Sequence, residues 1–287
     1  MGTEGSGDPR CREPGGGCQA AGPSGGDVLI FLAETRSPPR ASRSSASAGP
    51  PPRCSPASGR ASSAPTSTAR APRETAKTVA AEGGTARGLA ADLSDREDVA
   101  RAVRATVDAY GRLDIGVSTP GINIRKRLAA YTEEEFDRII GLNLKGTFSF
   151  LQQASAVMAE QGGGSLIACS SMRALMVEPG LGVYASTKAA ILQMVRGLAT
   201  EVGPQGVRVN AIAPGVIDTP LTRPLWDDVK AREAYSAHTV FGRWGSADEV
   251  ASAVAFLASD AASYITGANL VVDAGWTIMD GRFDPGR

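Results

Sequence analysis

Three stretches decide the fold: Ser165-Leu-Ile-Ala-Cys-Ser-Ser171, Tyr184-Ala-Ser-Thr-Lys-Ala-Ala-Ile-Leu-Gln-Met-Val-Arg-Gly-Leu-Ala-Thr200 and Val207-Arg-Val-Asn-Ala-Ile-Ala213. The first and third are short apolar runs bounded by turn residues, the pattern of strands buried on both faces. The second is apolar at helical spacing and too long for a strand. Strand, helix, strand in that order predicts a parallel pair joined by a helical crossover. Working outward, the alternation continues. Leu113 to Ser118, Asn269 to Val272 and, more briefly, Ala86 to Ala91 read as strands, and Glu74 to Glu82 reads as a helix ended by Gly83-Gly84. Ser94-x-x-Glu97, Thr132-x-x-Glu135 and Ser246-x-x-Glu249 each precede an apolar-periodic run. A hydroxyl and a carboxylate three residues apart can satisfy two free backbone donors reciprocally, so helices are predicted to start near 95, 133 and 247. Residues 71–280 are therefore expected to form a doubly wound parallel α/β sheet, with 281–287 as a tail. Ligands of such sheets sit at the carboxyl ends of the strands.

Composition narrows the function. Lys plus Arg equals Asp plus Glu at 30 each, so no net field points to nucleic acid or an anionic membrane. A small-molecule partner is expected. Cys11, Cys18, Cys54 and Cys169 form no CxxC pair and no metal-binding spacing with His238, and a reducing cytoplasm fits them. Asp27-Val-Leu-Ile-Phe-Leu-Ala33, the longest early apolar run, is too short to span a bilayer and lacks the features of a secretory signal.

The chemistry gathers around Tyr184 and Lys188. Their i, i+4 spacing places both side chains on one helix face. An ammonium near a phenol favours phenolate, and an acid/base group for an alcohol/ketone pair needs its pKa brought toward working pH. Ser171, at the carboxyl end of the preceding strand, adds a hydroxyl at the same edge of the sheet.

With these residues in view, the stretch from about 72 to 280 resembles the short-chain dehydrogenase/reductase family, whose fold is Rossmann-like. Ser171, Tyr184 and Lys188 have that family's spacing, and Leu142-Asn-Leu-Lys-Gly146 is similar to its central-helix segment. Val207-Arg-Val-Asn-Ala-Ile-Ala-Pro-Gly215, with Ile217 and Thr219, resembles the segment over the nicotinamide, and Asp92-Leu93 resembles the adenine contact. The resemblance implies an oxidoreductase that exchanges a hydride between NAD or NADP and a secondary alcohol or ketone. Tyr184 would exchange a proton with the substrate oxygen and Ser171 would hydrogen-bond it. Lys188 would lower the Tyr184 pKa and hold the nicotinamide ribose, and Asn143 would hold a relay water. Asp92, Leu93, Gly121, Tyr184, Lys188, Pro214, Gly215, Ile217 and Thr219 would contact the cofactor. A homo-oligomer, tetramer or dimer, is implied as well. One segment departs: Ser118-Thr119-Pro120-Gly121 stands where the family has Asn-Asn-Ala-Gly. Thr119 cannot bond at two ends as an amide does, and Pro120 lacks a backbone donor. The adjacent Arg125-Lys126-Arg127 reads as a solvated loop, or as a contact for an acidic substrate or cofactor phosphate. Leu221, Leu225, Trp226 and Phe241, within 217–244, suggest a loop-like apolar lid.

The front end departs further. Residues 1–70 are low in complexity and read as largely disordered, and 11 of the 18 prolines fall within residues 1–72. The first βαβ unit, with the glycine-rich turn that receives a pyrophosphate, is expected to be missing or scrambled. The Arg/Ser-rich, acid-poor composition is also that of an organellar transit peptide, and Pro50-Pro-Pro-Arg-Cys-Ser-Pro56 that of a polyproline ligand. A shifted reading frame explains more. Shifted codons for Ala61 to Thr68 permit Val-Val-Cys-Ala-Asp-Ile-Asp, a second strand ending in an acid that would favour NAD. Those for Ser45 to Gly49 permit Gly-Ile-Gly-Arg. The rival expectation is an inactive remnant that cannot bind the cofactor as written.

Overall fold

The computed structural model describes residues 28–31, 61–65, 76, 77, 79, 81 and 85–280. Seven strands form one sheet: β1 Val28–Phe31, β2 Ala61–Pro65, β3 Thr85–Leu89, β4 Ile115–Ser118, β5 Gly164–Cys169, β6 Val207–Pro214 and β7 Asn269–Val272. Their order is β3-β2-β1-β4-β5-β6-β7, and every neighbouring pair is parallel. The order reverses between β1 and β4, and the crevice at that switch point is where sheets of this kind bind ligands. The doubly wound parallel sheet is the fold expected for residues 71–280.

Two strands lie where none was expected. Val28–Phe31 pairs with β2 on one side and β4 on the other, and its unbroken Val-Leu-Ile-Phe is the signature of a central parallel strand. Weighing that run only against a bilayer overlooked this. Ala61–Pro65 lies between β1 and β3 although Ser62, Ser63 and Pro65 give it no strand pattern. It coincides with the segment whose shifted codons permit a second strand. The glycine-rich turn, Pro50 to Pro56 and the 281–287 tail lie outside the described residues. Ala76, Lys77, Val79 and Ala81 are helical, within the 74–82 helix expected.

Helices cover both faces: α1 Arg96–Tyr110, α2 Glu133–Ile139, α3 Thr147–Glu160, α4 Gly182–Val202, α5 Arg223–Asp227, α6 Val229–Ala237 and α7 Ala247–Ala258. Side chains alternate across the strands, so Leu166, Val209 and Ala211 meet Phe150, Met158, Ile191 and Val195 on one face. Ile167 and Ile212 meet Val254 and Leu257 on the other. Thr132 and Ser246 cap their helices in reciprocal boxes with Glu135 and Glu249 as expected. The first box is corrected. Asp95 caps α1 by accepting from the backbone of Glu97 and Asp98, while Ser94 donates to Asp92 instead. A carboxylate one residue nearer the helix reaches the free donors first.

Between α2 and α3, Ile140–Gly146 winds as a π-helix and carries Asn143 in its wide turn. Gly146 is required there, because a Cβ would lie 2.6 Å from the Leu93 carbonyl oxygen. The segment 217–244 is not loop-like. It holds α5, α6 and a 3-10 turn at Pro220–Thr222, and Asp228 caps α6 by accepting from Lys230 and Ala231. The scattered apolar residues there hid two short helices with a polar start signal between them.

Candidate active site

Strands β4, β5 and β6 end together, and a cavity of about 220 Å³ opens over their carboxyl ends. It is lined by Thr119, Pro120 and Gly121 after β4, by Cys169, Ser170 and Ser171 at the end of β5, and by Tyr184 and Lys188 from α4. Pro214, Gly215, Ile217, Thr219 and Leu221 close it on the β6 side. Thus Ser171, Tyr184, Lys188, Gly121, Pro214, Gly215, Ile217 and Thr219, predicted from separate motifs, meet around one space.

Each side chain there has a local cause. Ser171 caps a 3-10 turn at Met172–Ala174, its hydroxyl oxygen accepting from the Arg173 backbone at 3.1 Å. Lys188 is 2% exposed and lies on the α4 face turned to the sheet. Its ammonium donates to the carbonyls of Cys169 at 2.9 Å and Pro120 at 3.1 Å, leaving one of three donors for a ligand. The Pro120 departure therefore keeps its link to the lysine through a carbonyl, which proline retains. Asn143, fully buried, grips both backbone groups of Ile122 at 2.9 Å and reaches Thr187 on α4 at 3.4 Å. Asn143 thus supplies two-ended amide bonding to the loop after β4, at Ile122. Ser118 at the end of β4 is fully buried and its hydroxyl finds no partner among the described residues.

The expected charge effect on Tyr184 is corrected. Burial pushes its phenol up to about 12, and the cysteine sulfur of Cys169 acts in the same direction. The Ser171 hydrogen bond and the Arg173 charge oppose this. Lys188 sits 5.7 Å from the ring centroid and its own pKa is lowered by burial. Desolvation dominates, and no lowering by the Lys188 ammonium accompanies it.

The other cofactor candidates are placed differently. Asp92 lies outside this cavity, one carboxylate oxygen engaged by Ser94. Leu93 is a core side chain, 1% exposed. Gly215 is a packing glycine, since a Cβ would lie 2.6 Å from the Asp273 Cα. At Gly121 a Cβ would meet the Lys188 ammonium at 3.6 Å, so the backbone lies open to a ligand held by that lysine. The cavity is small for a whole dinucleotide but takes a nicotinamide ring with a small substrate, and its donors suit a ribose and a carbonyl oxygen. The segment expected to hold the pyrophosphate lies outside the described residues.

Sequence reasoning missed a cluster beside the cavity. Glu178 pairs with Arg173 at 2.6 Å and with Arg125, and accepts from the Tyr235 hydroxyl at 2.7 Å. Arg173 lies over Trp276, 5.3 Å from its centroid. Lys126 pairs with Glu135 instead, so Arg125 leaves the solvated-loop reading and Lys126 does not reach the cluster. Only the Arg125 run gave a signal, and nothing in sequence joined it to Glu178.

No helix of the described residues is long and apolar enough to cross a membrane, and no group of three potential metal ligands occurs among them. The family model described as enoyl-(acyl carrier protein) reductase matches residues 61–277. The chain is 38% identical over 187 residues to the 3-oxoacyl-[acyl-carrier-protein] reductase of Thermotoga maritima, covering 65% of this chain and 75% of that one. It is 38% identical over 201 residues to the L-rhamnose 1-dehydrogenase (NAD(P)(+)) of Azotobacter vinelandii, covering 70% and 78%. A gluconate 5-dehydrogenase from Burkholderia cenocepacia, solved with NADP and tartrate, superposes with a TM-score of 0.76 at 26% identity, covering 88% of this chain and 96% of that one. The inactive-remnant reading is not favoured. With its sheet order, its serine, tyrosine and lysine around one cavity and these relatives, the chain belongs to the short-chain dehydrogenase/reductase family of nicotinamide-dependent oxidoreductases acting on alcohols and ketones.

Proposed function

We propose that Tyr184, Ser171 and Lys188 carry proton transfer in the interconversion of a secondary alcohol and a ketone. Their meeting at one cavity carries this reading. Tyr184 gives its proton to the substrate oxygen in reduction and takes it back in oxidation, and Ser171 hydrogen-bonds that oxygen. The phenol near 12 is protonated at neutral pH, so the free protein is set as a proton donor. The nicotinamide supplies the hydride when bound. Lys188 would hold the ribose with its remaining donor, beside the backbone of Gly121. Asn143 acts chiefly as a positioning residue, because its side chain is committed to Ile122. Its main-chain carbonyl, which accepts from Thr147 at 2.8 Å, has a second lone pair for a relay water.

Asp92, through its second oxygen, and the Leu93 backbone would contact the adenine in this reading, and Pro214, Ile217 and Thr219 would contact the nicotinamide. A preference for NAD rests on the acid that the shifted frame places at the end of β2. As written, residues 66–68 are Thr-Ser-Thr and would not repel the extra phosphate of NADP. The catalytic domain is residues 71–280 together with the strands Val28–Phe31 and Ala61–Pro65 of the same sheet. A cytoplasmic homo-oligomer, dimer or tetramer, is consistent with exposed Phe148, Phe256 and Tyr264. The test is hydride transfer followed by NADH or NADPH absorbance over a panel of ketones. Wild-type turnover that falls at least ~10³-fold in Tyr184→Phe supports the assignment. Unchanged turnover in that variant would overturn it.

A further inference from the structure

The Arg125, Arg173, Glu178 and Tyr235 cluster contains two guanidinium groups and one carboxylate. Among the described residues Glu178 is the sole acid paired with either arginine. Tyr235 does not alter the balance, because burial and the neighbouring carboxylate hold its phenol protonated. Arg173 is only 8% exposed and sits 2.6 Å from Glu178, so the surplus positive charge falls to Arg125, whose side chain is 37% exposed. An exposed guanidinium that shares its carboxylate keeps N–H donors for a ligand of opposite sign.

The cluster adjoins the Ser171 turn through the main chain. Arg173 is two residues after Ser171 and its backbone donates to that hydroxyl. Trp276 lies beneath the guanidinium, and Tyr235 packs on Trp276 at 5.5 Å and on Trp244 at 5.7 Å. The Trp276 ring is already occupied by Arg173 and by His238, stacked at 4.9 Å, so the donors at the exposed edge of the cluster are those of Arg125, and a guanidinium pairs with a carboxylate through two parallel bonds. We propose that this cluster is an anion subsite at the rim of the substrate pocket, and that the protein acts on a ketone or alcohol bearing a carboxylate. This names the substrate class and rests on the oxidoreductase reading, but its test does not need turnover.

All three tryptophans of the chain, Trp226, Trp244 and Trp276, lie in or against the cluster, so intrinsic fluorescence reports on this region alone. The full chain is titrated with benzoate and, separately, with neutral benzamide. Benzoate is expected to bind at least ~10-fold more tightly. Arg125→Met should shrink that preference to about threefold or less, and Glu178→Gln, which removes the competing carboxylate, should enlarge it. Arg125 is half exposed, so its variant keeps the fold even if an Arg173→Lys variant does not. Equal binding of the two probes, or a benzoate preference unmoved by both Arg125→Met and Glu178→Gln, would overturn the proposal. A protein that binds benzoate as expected yet transfers no hydride would instead count against the oxidoreductase roles.

Discussion

Two buried cations flank Tyr184, and they are stabilised in opposite ways. Lys188 is held by the carbonyls of Cys169 and Pro120, which are dipoles without net charge. Arg173 is held by Glu178, a full negative charge shared with Arg125. A cation solvated by dipoles keeps its charge available to a ligand, whereas a paired one delivers only what its partner leaves over. The cavity wall is therefore built for a fixed job and the adjoining cluster for discrimination.

Removing the dipole-held cation should break that contrast most visibly. Lys188→Met is expected to lower kcat/KM about 100-fold or more across all substrates, acidic and neutral alike, in a steady-state assay. A loss confined to acidic substrates would mean that the two cations share one task. The wall itself depends on Asn143. Asn143→Ala leaves a buried N–H and carbonyl of Ile122 without partners, so urea unfolding should show a loss of about 2–3 kcal/mol. An unchanged midpoint would show that the loop after β4 is held by other contacts.

The pH profile sharpens the comparison more gently. With the Tyr184 phenol near 12, its phenolate fraction rises about tenfold per pH unit at neutral to mildly alkaline pH. For alcohol oxidation, kcat/KM should climb with that slope between about pH 7 and 9, while ketone reduction stays nearly flat. A flat oxidation profile would place the base elsewhere. The smallest effect belongs to Ser118, whose buried hydroxyl lacks a partner among the described residues. Ser118→Ala should raise stability by up to about 1 kcal/mol in the same urea assay.

What the sequence disclosed follows the same division. Lys188, Tyr184 and Ser171 could be read because helix periodicity and strand ends fix their direction from local spacing alone. Glu178 and Arg173 could not, since their meeting with Arg125 and Tyr235 joins three separate segments. The strands repeat the lesson: β1 carries its signal in Val-Leu-Ile-Phe, while β2 has Ala-Ser-Ser-Ala-Pro and is defined by its neighbours. The Asp95 cap shows a finer limit. Two plausible caps stood side by side, and only geometry decides which reaches the helix first.

The π-helical stretch Ile140–Gly146 has one further consequence. A π turn holds one residue more than the α turn it replaces, so the segment behaves as an insertion absorbed inside a continuous helix. Deleting any one residue there would restore regular winding. The flanking helices would keep their facing, but the wide turn that presents Asn143 to Ile122 would be lost. Over this stretch the requirement falls on how many residues are present as much as on which ones, and a change of length would be felt where many changes of identity are absorbed.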